Sequence, residues 1–486
     1  MNQILIFVFD GLQMSQVSHG LMPNLASFAD GGVRFENHHS VFPTVTRVNV
    51  ASITTGRYPG GHGIAGNNFL DRSFHPGRIL PALRPELGEL FEETGEILLV
   101  PNLAETLSVS GKEYIAIGTG SSGNAFLHNP HADIVGGAAI HPDFCQPPSL
   151  HSKIIERFGE WPDDTPLPAE DRIARGVDIL LGQVLESFDP EVALIWSLEP
   201  DKSQHEAGVG SVLGNRGLAV ADRQFGRILE WLDKTGRTAN TDVIVASDHG
   251  YSTASDILDI ESLVVKAGFP ATSEKGGVMV APNGGSVLFY VADHDFSTSD
   301  RLACWLMNQP WCGSMVSSDT AGNLDGLLPA SLVGVEGKRA PDLSMSFKWD
   351  SSLNPGGYPG YMFNTGKEPG QGNHGSMSRH EQRCGLIVRG PNFKKGVVSE
   401  VASGNVDIMP TILHLLQVDP LGPMDGRVLD EALMTDFDTQ KYSTKSHLTE
   451  RIFDNGIYRQ SITVSQVGST TYVDEGNSTG LFPDES

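Results

Sequence analysis

An α/β fold, with a mostly parallel central sheet flanked by helices and a smaller inserted α+β lobe, is what this sequence predicts. Three observations point to it. Short apolar runs at 4–9, 193–196 and 243–246 are each followed within a few residues by an aspartate, Asp10, Asp201 and Asp248. Amphipathic stretches at 169–186 and 215–234, apolar at three- and four-residue spacing, bracket the second run and set up a βαβ order. Between 250 and 372 the pattern loosens into short strands, glycine pairs and a Trp-containing segment, the composition of an inserted lobe. Runs of this length and β-branched content read as strands buried on both faces, and open α/β sheets place their chemistry at the carboxyl ends of such strands.

From the amino end, strand 4–9 precedes Met22-Pro23-Asn24-Leu25, where an early proline suits a first helix. A loop over 38–43 leads to a helix at 48–53 that ends at Gly56, and a further strand stands at 114–117. Helix 169–186, strand 193–196, helix 215–234 and strand 243–246 then alternate, with right-handed crossovers expected. Inside the lobe, 251–371, residues 286–291 read as a strand and 299–307 as a helix. The alternation resumes with strand 384–388 and helix 406–416, so residues 1–250 and 372–435 are expected to form the main domain. In the remaining extension, 436–486, segments 458–464 and 470–473 read as an edge hairpin around Gln466-Val467-Gly468, and residues from Asp474 onward are polar enough to fray.

The 486 residues suffice for a full core and a second lobe, since single cores stop growing near about 250–300 residues. A formal net charge of −25 argues against a nucleic-acid polymer or an anionic membrane as partner, both of which want clustered Lys and Arg. Met1-Asn2-Gln3 carries no basic segment and runs directly into a strand, and no apolar stretch approaches the roughly 20 residues of a spanning helix. A cytoplasmic protein is the expectation. Cys145, Cys304, Cys312 and Cys384 are too few for a disulfide framework and read as reduced thiols; Cys304 and Cys312 are the pair an oxidising compartment would join.

Two of the strand-end aspartates have histidine company: His205 lies four residues after Asp201, and His249 directly follows Asp248. A lone aspartate after a strand is commonly a helix cap, but caps need no histidines, and carboxylates with imidazoles at one sheet edge form a ligand set for metal. The segment Phe42-Pro43-Thr44-Val45-Thr46-Arg47-Val48-Asn49 is a turn feeding a helix start. Unpaired N–H groups there attract phosphate or sulfate oxygens, and a hydroxyl at that position faces the anion. A threonine hydroxyl is a poor nucleophile until a metal or base lowers its pKa.

At this point the chain resembles a family. Asp10, the Phe42-Pro43-Thr44-Val45-Thr46 turn, Thr55-Gly56-Arg57-Tyr58-Pro59 with His62-Gly63-Ile64, Asp201-Lys202-Ser203-Gln204-His205, Ser247-Asp248-His249-Gly250 and Gly372-Asn373-His374-Gly375 stand in the order seen in nucleotide pyrophosphatase/phosphodiesterases of the alkaline phosphatase superfamily. Residues 406–413 with Met424-Asp425-Gly426-Arg427 are similar to that superfamily's closing segment. The resemblance covers most of 1–430 and is weakest in the lobe. It implies an alkaline phosphatase-like fold in which Asp10, Thr46, Asp248 and His249 surround one divalent ion and Asp201, His205 and His374 the other. Those ions are usually zinc, which the mixed carboxylate and imidazole set suits, with manganese or iron as alternatives. Thr46 is then the nucleophile, Thr44 a structural residue, and Asn67 a donor to a non-bridging phosphate oxygen. The implied chemistry is a double displacement through a phosphothreonine, with metals on the order of 4 Å apart, on a small phosphate-ester or nucleotide-like substrate.

Several residues carry competing readings. Monoesterase and phosphonoacetate-cleaving relatives place a lysine on the loop after the next strand; here that loop, Gly118-Thr119-Gly120-Ser121-Ser122-Gly123-Asn124, has no basic residue. The departure favours a phosphodiester or pyrophosphate over a phosphomonoester or phosphonate. Arg47 either supplies part of the missing charge or lies on the surface, and Asn67, after Gly66, is alternatively a turn residue. His62, among Pro59, Gly60, Gly61 and Gly63, reads as fixing a turn, whereas His38, His39 and His380 lack partners at ligand spacing and read as exposed or as outer support. Trp305 and Trp311 read as lobe packing, or as a stacking surface for a base. A sulfatase is disfavoured because Thr46 cannot become formylglycine, and no phosphosugar-closing lid announces a mutase. A non-catalytic metal- or phosphate-binding scaffold is the alternative of another class, and a nucleophilic hydroxyl beside a full ligand set speaks against it.

Overall fold

The computed structural model describes residues 3–434 and 442–482. The expected boundary at 435/436 lies outside the described residues. A nine-stranded sheet organises the main body. Its strands are β1 (Gln3–Phe9), β2 (Val33–Phe35), β3 (Tyr114–Gly118), β4 (Ala138–His141), β5 (Phe144–Gln146), β6 (Val192–Ser197), β7 (Thr241–Ala246), β8 (Leu386–Arg389) and β9 (Val397–Ser399), in the order β9-β2-β8-β7-β1-β6-β3-β4-β5. The five strands from β7 to β4 are parallel neighbours, and antiparallel pairs appear toward the two edges, β8 against β7 and β2, and β5 against β4.

The parallel centre is apolar on both sides because helices cover both. Along β1, Ile4, Ile6 and Val8 enter one core and Leu5, Phe7 and Phe9 the other, as a two-residue side-chain period requires. Helices Pro23–Asp30, Glu170–Ile179 and Val212–Lys234 supply the second core, where the Phe225 ring meets Phe7 at 5.3 Å and Phe9 at 5.9 Å between centroids. Each such buried phenylalanine contributes about 1.5–3 kcal/mol of transfer free energy. The expected helix 169–186 is α-helical from Glu170 to Ile179 and then widens into π geometry through Phe188. Helices Thr46–Thr55, Leu103–Val109 and Ile408–Leu416 pack the first core.

Residues 251–371 contribute to two small sheets and carry two α-helices, Ile260–Lys266 and Phe296–Met307. A five-stranded sheet runs Val278–Asn283, Ser286–Val291, Leu343–Phe347, Cys312–Ser317, Leu328–Pro329, covered by helix Phe296–Met307, whose start is capped by Asp295 accepting from the Thr298 N–H at 2.8 Å. Trp305 and Trp311 meet edge to face at 5.8 Å, with Trp311 6.0 Å from Phe347, so both pack the lobe. A four-stranded sheet runs Trp349–Leu353, Pro359–Asn364, Ser252–Ile257, Gly372–Asn373, and its last strand leads to His374. The four cysteines are free, Cys304 and Cys312 included. Among the described residues no helix is long and apolar enough to cross a membrane.

The carboxyl-terminal region departs from expectation. The expected hairpin around Gln466-Val467-Gly468 forms, Gly456–Val467 pairing antiparallel with Thr470–Phe482, but it does not fray from Asp474, and with Tyr442–Phe453 it makes a three-stranded sheet of its own. Long-range partners hold the polar stretch in place. Asp474 accepts from Ser465 Oγ at 2.8 Å and faces His39 Nε2 at 3.0 Å, the Gly476 N–H donates to Met377 O, and Trp349 Nε1 donates to Gly476 O at 2.8 Å.

Candidate active site

Three adjacent parallel strands deliver the acidic side chains. Asp10 ends β1, Asp248 follows β7, and Asp201 opens helix Asp201–Ala207 just after β6. Because β1 lies between β7 and β6, the three aspartates share one carboxyl edge, and the Asp201 N–H donates to Asp10 O at 3.0 Å. His205 sits one helical turn after Asp201, on the same face. His249 is carried by the turn after β7, and His374 by the segment returning from the lobe. Thr46 is the first residue of helix Thr46–Thr55.

The side chains close on one another. His249 Nε2 lies 3.2 Å from Asp248 Oδ2, 3.5 Å from Asp10 Oδ1 and 3.5 Å from Thr46 Oγ1. Asp201 Oδ1 lies 3.3 Å from His205 Nε2 and 3.5 Å from His374 Nε2, and those two nitrogens are 3.2 Å apart. Donor atoms of Asp10, Asp248 and His249 form one compact group, and those of Asp201, His249 and His374 another, so His249 stands between them.

Backbone carbonyls settle which imidazole nitrogen carries hydrogen. The Nδ1–H of His205 donates to Gly372 O at 2.9 Å, that of His374 to Thr44 O at 2.7 Å, and that of His249 to Gly250 O at 3.0 Å. A carbonyl only accepts, so each Nε2 presents a lone pair to the centre. Two lone pairs facing each other across 3.2 Å repel unless a cation lies between their owners. Burial, then the neighbouring His249 and His205, hold His374 well below the ordinary imidazole range, and burial lowers His205 too, so protons do not serve as that cation near neutral pH. The carboxylates point the same way. Asp10 Oδ1 and Asp248 Oδ2 are buried without a hydrogen-bond donor, and burial, then Asp248 and Asp201, push the Asp10 carboxyl well up. Mixed oxygen and imidazole donors with carbonyl-fixed tautomers fit divalent zinc.

The surroundings brace this arrangement. Trp196 Nε1 donates to Asp10 Oδ2 at 2.9 Å, and the Gly11 N–H donates to Asp248 Oδ1 at 3.0 Å. Thr44 is fully buried, its Oγ1 3.0 Å from Ser376 O and accepting from the Gly375 N–H at 2.9 Å, so it ties the turn before Thr46 to the segment bearing His374. Asn67 Oδ1 accepts from the Arg47 N–H at 3.1 Å, which fixes the amide and leaves its NH₂ to donate elsewhere. Arg47 is not a surface residue. It is half-buried, its Nε has no partner, and burial lowers its pKa against the pull of Asp10 and Asp201.

Other histidines divide differently from the reading above. His62 fixes a turn, Nε2 3.1 Å from Ser52 Oγ and Nδ1 accepting from the Ile64 N–H at 3.1 Å. His38 and His39 are fully buried, which overturns exposure. His38 holds Ser403 Oγ and Asn405 Oδ1, and Asn405 Nδ2 in turn donates to Asp248 O at 2.9 Å, so His38 supports the centre at one remove. His380 pairs with Ser351 Oγ at 2.9 Å. Sequence reasoning missed Trp196, bonded to Asp10, and Tyr251, whose hydroxyl donates to Asp201 Oδ1, as members of the site. Tyr251 directly follows Ser247-Asp248-His249-Gly250, and that adjacency was the available signal; Trp196 gave none, because its partner is 186 residues away.

The model of the type I phosphodiesterase/nucleotide pyrophosphatase family matches residues 4–376. An uncharacterised pyrophosphatase/phosphodiesterase of Schizosaccharomyces pombe is 24% identical over 256 residues, 52% of this chain and 45% of that protein. Human ectonucleotide pyrophosphatase/phosphodiesterase family member 1 is 24% identical over 436 residues, 87% of this chain and 40% of that protein. The chain thus spans less than half the length of these curated relatives. Among solved structures, murine ectonucleotide pyrophosphatase/phosphodiesterase 5, in an inactive threonine-to-alanine form in complex with AMP, superposes with a TM-score of 0.61 at 17% identity, covering 87% of this chain and 96% of that one. At that identity the likeness carries the α/β fold.

Proposed function

The chain belongs to the type I phosphodiesterase/nucleotide pyrophosphatase family, and from that membership and the geometry of its site we propose that it is a metal-dependent hydrolase of phosphodiester or pyrophosphate bonds in nucleotide-like substrates. One observation carries the reading: the Thr46 hydroxyl, at a helix start, faces His249 Nε2 at 3.5 Å beside buried carboxylates and inward-turned imidazoles. Asp10, Asp248 and His249 with Thr46 would hold one divalent ion, zinc by the donor set, and Asp201, His205 and His374 a second. Such ions, when bound, lower the pKa of a coordinated hydroxyl and offset charge on the transferring phosphoryl group.

The chain's own groups account for the rest. Thr46 Oγ1 forms a bond to phosphorus while the bond from phosphorus to the leaving oxygen breaks, giving a phosphothreonine, and water then cleaves the Thr46 ester to restore the hydroxyl. The first turn of helix Thr46–Thr55 favours an anion at this end through its unpaired N–H groups and dipole. Asn67 Nδ2, directed by the Arg47 N–H, donates to a non-bridging oxygen, and the Arg47 guanidinium adds positive charge. The nucleotide class is supported by the names of the relatives and by the AMP-bound neighbour. The absence of a basic side chain in residues 118–124 supports a singly charged ester; there Thr119 Oγ1 is spent on Trp196 O at 2.9 Å and Ser121 caps the following helix.

The test is a comparison of kcat/KM, after zinc loading, for bis-p-nitrophenyl phosphate, p-nitrophenyl phosphate, a nucleotide p-nitrophenyl ester and p-nitrophenyl phenylphosphonate. The diesters, with the nucleotide ester foremost, are expected to lead. A preference for the monoester or the phosphonate overturns the substrate assignment.

A further inference from the structure

Resting on the metal-hydrolase reading, we infer that Tyr251 is a positioning residue of the centre: its hydroxyl orients Asp201 and sets the zinc affinity of the Asp201/His205/His374 position alone. Tyr251 is fully buried, and its hydroxyl donates to Asp201 Oδ1 at 2.7 Å while lying 3.0 Å from Asp201 O. Oδ1 is the oxygen that faces both imidazole nitrogens, at 3.3 and 3.5 Å, so the phenol bonds the ligand atom itself. Among the described residues no other hydroxyl, amide or cationic group donates to that carboxylate. Asp201 stands at a helix start rather than at a strand end, and its side chain, 17% exposed, has this single donor to hold its rotamer.

The ring has a slot made for it. A Cβ on Gly11 would come within 2.7 Å of Tyr251 Cε2, and one on Gly372 within 2.7 Å of Cε1. Both glycines adjoin ligands: Gly11 follows Asp10, and Gly372 O accepts the His205 Nδ1–H. From this slot the ring stands 5.3 Å from His205, 5.9 Å from His249 and 5.3 Å from His374 between centroids. Packing alone accounts for the ring. It does not account for a hydroxyl aimed at one ligand oxygen, since phenylalanine would fill the slot without burying a polar group. The other half of the centre has its own braces in Trp196 on Asp10 and the Gly11 N–H on Asp248.

Outer partners of ligating carboxylates are worth about ten- to a hundredfold in metal affinity. The experiment is a zinc titration of the full chain against a chromophoric chelator, resolved into two affinities, with the melting temperature of the metal-free protein measured alongside. His205→Ala identifies which affinity belongs to its position. Tyr251→Phe is expected to weaken that same affinity ten- to a hundredfold, to leave the other within about twofold, and to keep the metal-free melting temperature. Two unchanged affinities in Tyr251→Phe overturn the inference, and so does a joint weakening of both with a fall in melting temperature, which marks packing. If the unaltered chain takes up no zinc, the metal reading fails and this inference with it; zinc uptake at two positions with no response to Tyr251→Phe sinks the inference alone.

Discussion

Two histidine-rich regions lie close together in this molecule, and they use the same side chain for opposite ends. Under helix Thr46–Thr55, His38 and His62 are fully buried with both ring nitrogens matched to protein groups: His38 to Ser403 Oγ and Asn405 Oδ1, His62 to Ser52 Oγ and the Ile64 N–H. At the carboxyl edge of the sheet, His205, His249 and His374 each spend Nδ1 on a backbone carbonyl and turn Nε2 toward the other ligands. Burial does not separate the two sets, since His249 and His62 are equally inaccessible. What separates them is the second nitrogen: satisfied in the scaffold, offered in the site.

The comparison can be broken most sharply at its reacting group. Thr46→Ala should lower turnover by at least about a thousandfold while zinc content stays at the level of the unaltered chain, because the hydroxyl reacts and the remaining ligands hold the ions. Retained turnover with retained zinc would place the nucleophile elsewhere. Next in size, His374→Ala should lose one zinc equivalent by elemental analysis and at least about a hundredfold in kcat/KM. Asn67→Ala should cost about a hundredfold in kcat with little change in zinc, the low end of the loss for one oxyanion donor. The scaffold set should behave otherwise. His62→Gln should keep zinc and rate and lose about 1–3 kcal/mol of stability in urea unfolding, through the unmatched Ser52 and Ile64 groups. A zinc loss in His62→Gln would erase the distinction between the two regions.

A further effect on stability is one of pH. Burial lowers His38 and His62 from 6.5 to about 3, so between those values the unfolded chain binds protons that the folded chain refuses. Stability from these groups is therefore complete above pH 6.5 and is lost as pH falls toward 3. Each group contributes a slope of about 1.4 kcal/mol per pH unit in that window. Urea midpoints measured from pH 7 to pH 5 should fall, and His62→Gln should flatten the fall by one group's share.

Much of this was readable before the fold was seen, and the reason is local. An apolar run followed by aspartate marks a strand end wherever it occurs, and His205 four residues after Asp201 declares a shared helix face. The Thr44/Thr46 choice came from the family resemblance and not from local pattern: the structure buries Thr44 against the distant Ser376 and Gly375 and leaves Thr46 half-buried at the helix start. What could not be read depends on distant partners. His38 and His39 looked partnerless because Ser403, Asn405 and Asp474 lie more than 360 positions along the chain, and the polar stretch after Asp474 is ordered by Met377 and Trp349 from other elements. Arg47 was ambiguous for the same reason: Asn67 and the carboxylates that decide its surroundings come from elsewhere.

By itself the sequence determined the strand-and-helix alternation, the aspartates at the strand ends and the identity of the groups able to bind metal, because periodicity and short spacing are properties of neighbouring residues. Only the tertiary structure decided which nitrogen of each histidine faces the centre, that Trp196 holds Asp10, and that Tyr251 holds Asp201. Apart from the His249 bond to its neighbour Gly250, those are directional hydrogen bonds between residues 50 to 330 positions apart, and no local pattern encodes a direction in space.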